Sequence, residues 1–182
     1  MKSKLVHQAG PHERTFVLVF DEGEDPVVLG TAFAERERLG ASRITAVGGF
    51  SSAVLGYFDR ATRQYRKIPV DTQAEVLSII GDVAHDQGKP VVHVHAVLGL
   101  VDGTTRGGHL LEGRVWPTLE VVITEWPAHL RKAFRPDVGL SLIAVDDAGE
   151  AGGGRSRFPA IATLVSAALV AGVAVTLARL RG

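Results

Sequence analysis

The sequence has 182 residues, equal numbers of basic and acidic residues, and no cysteine. A domain of this size buries a sizeable core without cross-links, and the lack of cysteine excludes disulfides and thiolate ligands, which leaves histidine and carboxylates for any transition-metal site. Residues 1–150 hold 16 basic and 20 acidic residues, and this net charge of −4 opposes the phosphate contacts of nucleic-acid binding.

The N-terminal segment, residues 1–14, is polar and has no apolar stretch of the length that a secretory signal needs. We therefore expect a cytoplasmic domain, with His7 and His12 at the surface. Residues 27–39 predict a helix, because apolar residues recur near helical spacing while ERER supplies a polar side. We expect this helix to cover one sheet face and Gly40 to cap it.

Short β-branched and aromatic runs, separated by Gly and Pro, predict most of the remaining chain to be strands. The segment GGFSS at 48–52 lacks the lysine of a phosphate-binding loop and the spacing of a serine-nucleophile elbow, which favours a structural role. Residues 74–84 fit a strand or a short helix. Strands are predicted at 15–21, 43–47, 53–59, 65–70 (ended by Pro69), 118–124 and 139–145, with a basic connection at 129–135. Between 43–47 and 53–59, Gly48-Gly49 is expected either to break the strand or to form a bulge.

The central stretch, residues 89–123, carries three of the seven histidines. His93 and His95 interrupt a valine-rich strand pattern, and because side chains alternate along a strand they share one face. Asp102-Gly103 predicts a two-residue hairpin turn, after which the returning strand carries His109.

The pairing register decides whether His109 joins the other two histidines. A strict two-residue turn would place His109 opposite residue 96, on the wrong face. A glycine bulge at Gly107-Gly108 would shift the pairing and place it opposite residue 97, on the histidine face. Three imidazoles on a rigid hairpin would then suit a divalent metal, zinc above all. A lone histidine in an apolar strand is more often a hydrogen-bonded core residue, so the metal site depends on all three converging.

Two carboxylates follow the histidines in sequence, Glu112 and Glu120. Either could bind the metal, orient an imidazole from outside the ligand set, or act as a base. The alternative is that they form ordinary surface or intersubunit ion pairs.

The same residues resemble a known family, the plant and prokaryote conserved (PPC) domain. The likeness spans about residues 10–145 and does not reach the C-terminus. It is carried by ITAVGGFSSAVLGYFD, YRKIPVDTQAEVLSIIGDVA, HVHAVLGLVDGTTRGGHLLEGRVWPTLEVVI and RPDVGLSLI.

This resemblance implies an α+β fold with a mostly antiparallel sheet, one or two flanking helices, a strand at 74–84, and assembly into a homotrimer. Some prokaryotic members hold a metal through the histidines that correspond to His93, His95 and His109. Plant members follow a DNA-binding AT-hook, but this sequence contains no Arg-Gly-Arg-Pro-like element. It therefore resembles a prokaryotic-type member.

The chain changes character after the PPC-like domain, which we place at 1–148. Residues 149–157 predict a Gly/Arg linker. Residues 158–180 predict a hydrophobic helix, because 158–178 contain no charged residue and would form about 31 Å of helix, enough to cross a bilayer. A transmembrane tail anchor is one interpretation of this helix. The other is a helix packed against the domain or against the other subunits of the trimer.

Three hypotheses for function follow. The first is a homotrimer with a divalent metal site and an unknown small-molecule ligand or substrate. The second is a DNA-binding regulator, which the net charge opposes, since the basic run Arg60, Arg63, Arg66 and Lys67 is expected to be a solvated hairpin tip. The third is a non-catalytic interaction module.

Overall fold

A computed structural model of the chain describes residues 1–145, which form a sheet of nine strands and one α-helix. Every strand pairing is antiparallel except a single parallel bridge between His85 and Arg131. The predicted α+β class is confirmed. The elements are β1 (Lys2–Gly10), β2 (Glu13–Phe20), α1 (Pro26–Glu37), β3 (Ala41–Asp59), β4 (Gln64–Val70), β5 (Ala74–Asp86), β6 (Lys89–Gly99), β7 (Thr105–Glu125), β8 (Arg131–Arg135) and β9 (Leu140–Ala144).

The sheet runs in the order β1-β2-β7-β3-β5-β8-β9, with β4 paired to β3. Strand β6 pairs with both β5 and β7, so β3, β5, β6 and β7 form a closed circuit of paired strands. Closure requires the two longest strands to bend, and the β3–β7 pairing contains three register shifts of the kind that bend strands. This circuit carries His93, His95 and His109.

The core lies on one face of the sheet and beneath α1. Phe33 of the helix packs edge-on against Phe16 of β2, with ring centroids 5.2 Å apart. In β6, Val94, Ala96 and Leu98 are buried. Strand alternation therefore places His93 and His95 on the opposite, outer face of the sheet.

Asp25 caps the start of the helix, and its carboxylate accepts hydrogen bonds from the backbone N–H groups of Val27 and Val28. It ends earlier than predicted, because Arg38 adopts a left-handed conformation with φ 55° and its N–H bonds back to the last turn. The prediction that Gly40 caps the helix was wrong. Gly40 instead lies against the His129 ring, and a Cβ there would come within 2.9 Å of Nδ1.

Two strands were missed by the sequence analysis, β1 and β8. In β1 every residue from Lys2 to Ala9 is exposed, and β8 is mostly exposed as well. Such strands are held by backbone hydrogen bonds rather than by a buried face, so they show no hydrophobic alternation. At Gly48-Gly49 the bulge is confirmed rather than the break, because β3 continues through these residues while its pairings with β5 and β7 shift register there. The predicted end at Pro69 was wrong, because Pro69 lies within β4, which pairs only with β3, as an edge strand permits.

The predicted linker at 149–157 and hydrophobic helix at 158–180 lie outside the described residues, so both stay predictions. Within residues 1–145, the structure contains no helix with the length and apolar character needed to cross a bilayer.

Candidate metal centre

The closed strand circuit brings His93, His95 and His109 together. His95 on β6 pairs directly with His109 on β7, and His93 lies two residues away on the same face. The ring centroids are 5.2 Å apart for 93–95, 5.1 Å for 93–109 and 5.4 Å for 95–109. One nitrogen from each ring lies within 4.8 Å of the others. The expected convergence is therefore present.

The route to this convergence differs from the predicted one. No bulge interrupts the β6–β7 pairing, and His109 lies opposite residue 95 rather than 97. The connection is longer than two residues: it runs between the paired Gly99 and Thr105, and the Asp102 carboxylate accepts bonds from the N–H and hydroxyl of Thr104. Because 95 and 97 share a face, the predicted face was right although the register was wrong.

Of the two glycines before His109, Gly108 allows a close approach between strands. A Cβ on Gly108 would lie 2.7 Å from the carbonyl oxygen of Gly56 on β3, whereas one on Gly107 would be 3.4 Å from that of Ala96. Gly56 in turn pairs with His109. Glycine at 108 therefore lets β7 approach β3, which fixes the backbone that carries His109.

Burial favours the neutral form of two of the imidazoles, those of His95 and His109. Burial, reinforced by the charges of His93, His95 and Lys132, lowers the pKa of His109 to about 4. Burial and the charge of His93 also lower the pKa of His95. Neutral imidazole is the form that binds a metal ion. The Nδ1 of His109 is also buried without a hydrogen-bond partner, a condition that is unfavourable unless water or an ion engages the ring.

Asp82 on β5 is the carboxylate that contacts the cluster. It pairs across the strands with His93, and its Oδ2 lies 3.3 Å from Nδ1 of that ring. The side chain of Lys132, which is 6% exposed, places Nζ 3.4 Å from the other oxygen, Oδ1. Burial alone would raise the pKa of Asp82, but the bond to His93 and the charge of Lys132 hold it below its usual value. Asp82 therefore orients the His93 ring.

Asp82 was not predicted from the sequence, although the turn that precedes β6 indicates it. Gln87 and Gly88 both have positive φ and form a two-residue turn between the paired Asp86 and Lys89. Counting back from a turn at Gln87-Gly88 places residue 82 opposite 93. The β5–β6 turn thus identifies Asp82 as the carboxylate opposite His93, which the search for acidic residues nearest in sequence did not find.

Glu112 and Glu120, the carboxylates singled out from the sequence, lie elsewhere on β7. Glu112 is exposed and forms an ion pair with Lys67, 3.5 Å between Oε1 and Nζ. Glu120 is exposed opposite Val19 and Val47. A contribution of either to the metal centre stays a prediction.

Tyr65 on β4 also borders the cluster, with its ring centroid 5.1 Å from that of His109. Burial raises the pKa of its phenol, so the hydroxyl stays protonated at neutral pH. The pairing of β4 with β3 brings this ring to the site, which no local pattern around Tyr65 indicated.

The sequence model of the Plants and Prokaryotes Conserved (PCC) domain matches residues 7–127. The chain belongs to the PCC domain family. The family match and the strand circuit together confirm the resemblance on which the expected fold rested. Among proteins with curated functions, none matches this chain.

Solved structures share the PCC fold. A protein from Archaeoglobus fulgidus, described as metal-containing, is 34% identical, with 73% of this chain and 94% of that one covered and a TM-score of 0.68. A PPC protein from Pyrococcus horikoshii is 28% identical, with 79% and 94% covered and a TM-score of 0.67. A Bacteroides thetaiotaomicron protein with a provisional DNA-binding name is 18% identical, with 78% and 96% covered and a TM-score of 0.71, and shows the fold alone.

Proposed function

We propose that this PCC domain binds a divalent metal ion through His93, His95 and His109, and that Zn²⁺ suits these three ligands best. The observation that carries the proposal is the convergence of three imidazoles, each on a paired strand, with one nitrogen from each within 4.8 Å of the others. Ligand nitrogens in a tetrahedral zinc site lie about 3.4 Å apart, given bonds of about 2.0–2.1 Å. Small side-chain rotations are enough to close the remaining gap.

The chemistry of the donor set favours zinc over the hard cations. Imidazole suits zinc and other borderline ions, whereas Mg²⁺ and Ca²⁺ prefer oxygen ligands. The Asp82 carboxylate beside His93 is the usual outer partner of a metal-bound imidazole. Three protein ligands leave a coordination position open, and a bound ion would supply a Lewis-acidic centre there for a small ligand or substrate. The 34% identical A. fulgidus protein is described as metal-containing, which agrees with this proposal.

We also propose that the protein assembles as a homotrimer, as its family resemblance implies. The outer sheet face supports self-association, because it exposes several large apolar side chains next to the histidines. Ile80 pairs directly with His95 and is 59% exposed, and the neighbouring Val122, which pairs with Thr45, is 40% exposed. An exposed apolar face of this kind is typical of a protein–protein contact. Light scattering on Val122→Glu, which keeps the histidines, tests this: a trimer that dissociates supports it, and a wild-type monomer contradicts it.

No feature of the described residues favours nucleic acid as the partner. Three of the four basic residues at the hairpin tip are already engaged, since Arg63 donates to the carbonyls of Pro136 and Asp137, Arg66 pairs with Asp59, and Lys67 pairs with Glu112. The charge of −4 over residues 1–150 opposes a polyanion as well.

Metal analysis tests the central proposal. Protein purified without chelator, then dialysed against Zn²⁺, should retain an ion that His109→Ala loses. Retention of the same amount of zinc by wild type and variant would contradict the site.

A further inference from the structure

A second group of histidines lies near the start of β2 and the ends of β5 and β7. His12 occupies the β1–β2 turn, His85 the end of β5, and His129 the β7–β8 connection. The His129 ring centroid is 6.0 Å from that of His12 and 6.2 Å from that of His85. We call these three residues the second histidine cluster. It shares no residue with the cluster of His93, His95 and His109.

The backbone around His129 is fixed, although the segment is neither helix nor strand. Trp126 N–H donates to the Ala41 carbonyl, Leu130 N–H to that of Gly40, and His85 N–H to that of Leu130. The ring fits because residue 40 is glycine, since a Cβ there would lie 2.9 Å from Nδ1 of His129. The His85 and His129 rings are thus brought together by hydrogen bonds between the segments that carry them.

A buried carboxylate lies beside the second histidine cluster. Glu125 is 1% exposed, and its Oε2 pairs with Arg14, 2.6 Å from the nearest guanidinium nitrogen. Its Oε1 accepts a bond from Gly40 N–H and lies 4.0 Å from Nδ1 of His12. Two ligand atoms of one tetrahedral zinc ion are about 3.4 Å apart. Oε1 and the His12 ring are therefore close to a separation that one ion could bridge.

We propose that His12, His85 and His129 form a second binding site for a divalent transition-metal ion, with Glu125 on its inner side. Ring nitrogens of His85 and His129 make no hydrogen bond to protein within residues 1–145, so they are free to bind. The His129 ring needs to approach the His12 ring and the His85 ring by less than about 1 Å each to match the 5.1–5.4 Å of the first cluster. His12 is half exposed on a turn and can make that movement.

Zinc stoichiometry of the 182-residue chain tests the second site independently of the first. Equilibrium dialysis against Zn²⁺ and mass spectrometry should give two ions per wild-type chain, one in His129→Ala, one in His109→Ala, and none in the double variant. His7→Ala is the matched control, since His7 is exposed on β1 and belongs to neither cluster; it should keep two. Far-ultraviolet circular dichroism checks that each variant is folded, and His12→Gln should weaken the second ion at least tenfold.

The outcomes separate the two sites. One ion per wild-type chain, lost in His109→Ala and kept in His129→Ala, overturns the second site and leaves the proposed function intact. One ion that is lost in His129→Ala and kept in His109→Ala supports the second site and overturns the first. A second ion that survives His129→Ala and His12→Gln together also overturns this proposal.

Discussion

The two histidine clusters differ in what holds their rings. In the first, all three histidines lie on strands of one closed circuit, and the ring centroids are within 5.4 Å of each other. In the second, two of the three lie in a turn and a connection, and the measured separations are 6.0 and 6.2 Å. Strand pairing fixes ligands before the metal arrives, whereas turns leave part of that ordering to binding. We therefore expect the first cluster to bind zinc more tightly.

The largest expected effect is the loss of a ligand from the first cluster. His95→Ala removes the ring that pairs with His109, and zinc affinity there should fall more than about 100-fold, because loss of an outer partner alone costs 10–100-fold. Competition titration with a chromophoric chelator measures this. His7→Ala serves as the control and should leave the affinity unchanged. An unaltered affinity in His95→Ala would remove the contrast between the clusters.

A smaller effect is expected at the carboxylate that orients the first cluster. Asp82→Asn removes the negative charge next to His93 and should weaken zinc binding by about 10–100-fold. Glu112→Gln is a matched control on β7, because its carboxylate pairs with Lys67, and should change affinity less than about twofold, as exposed ion pairs contribute little. A larger loss of zinc affinity in Glu112→Gln than in Asp82→Asn would instead assign the orienting role to Glu112.

The close approach of β7 and β3 can be tested at adjacent glycines. Gly108→Ala places a Cβ 2.7 Å from the Gly56 carbonyl oxygen and should lower the free energy of unfolding by about 1–3 kcal/mol. Gly107→Ala meets only an ordinary 3.4 Å contact and should change it by less than about 1 kcal/mol. Urea unfolding measures both. Equal effects would mean that this approach does not hold His109 in place.

A further expected effect is a pH dependence of metal-free stability. The pKa of His109 is about 4 in the folded protein against 6.5 ordinarily, chiefly through burial. Between pH 6.5 and 4, the His109 imidazole is therefore protonated in the unfolded chain but neutral in the folded chain. The free energy of unfolding consequently falls as the pH falls towards 4. In chelator-treated protein, urea unfolding of His109→Gln should lose less stability between pH 7 and 4.5 than that of wild type. A larger loss in the variant would contradict a buried neutral ring.

The sequence predicted the first cluster well because its residues follow local rules. His93 and His95 share a face because side chains alternate along a strand. The predicted pairing of His109 was wrong by two residues, but a shift of two residues keeps a side chain on the same face, so His109 still lies with them. Asp82 and Tyr65 come from strands whose partners depend on sheet order, so the stretch containing the histidines gave no sign of Tyr65 and only the Gln87-Gly88 turn pointed to Asp82.

The missed strands have a related cause. The exposed β1 and β8 lack the apolar alternation that marks a buried face, and their pairing follows from the folded sheet rather than from their own residues. The second cluster was missed for the same reason, because His12, His85 and His129 are far apart in sequence and meet only through backbone bonds between their segments.

Anomalous diffraction at the zinc absorption edge, from crystals grown with Zn²⁺, tests the central claim most directly. The account predicts a peak about 2.0–2.1 Å from one nitrogen each of His93, His95 and His109. A zinc-saturated crystal without a peak at these three rings would contradict it.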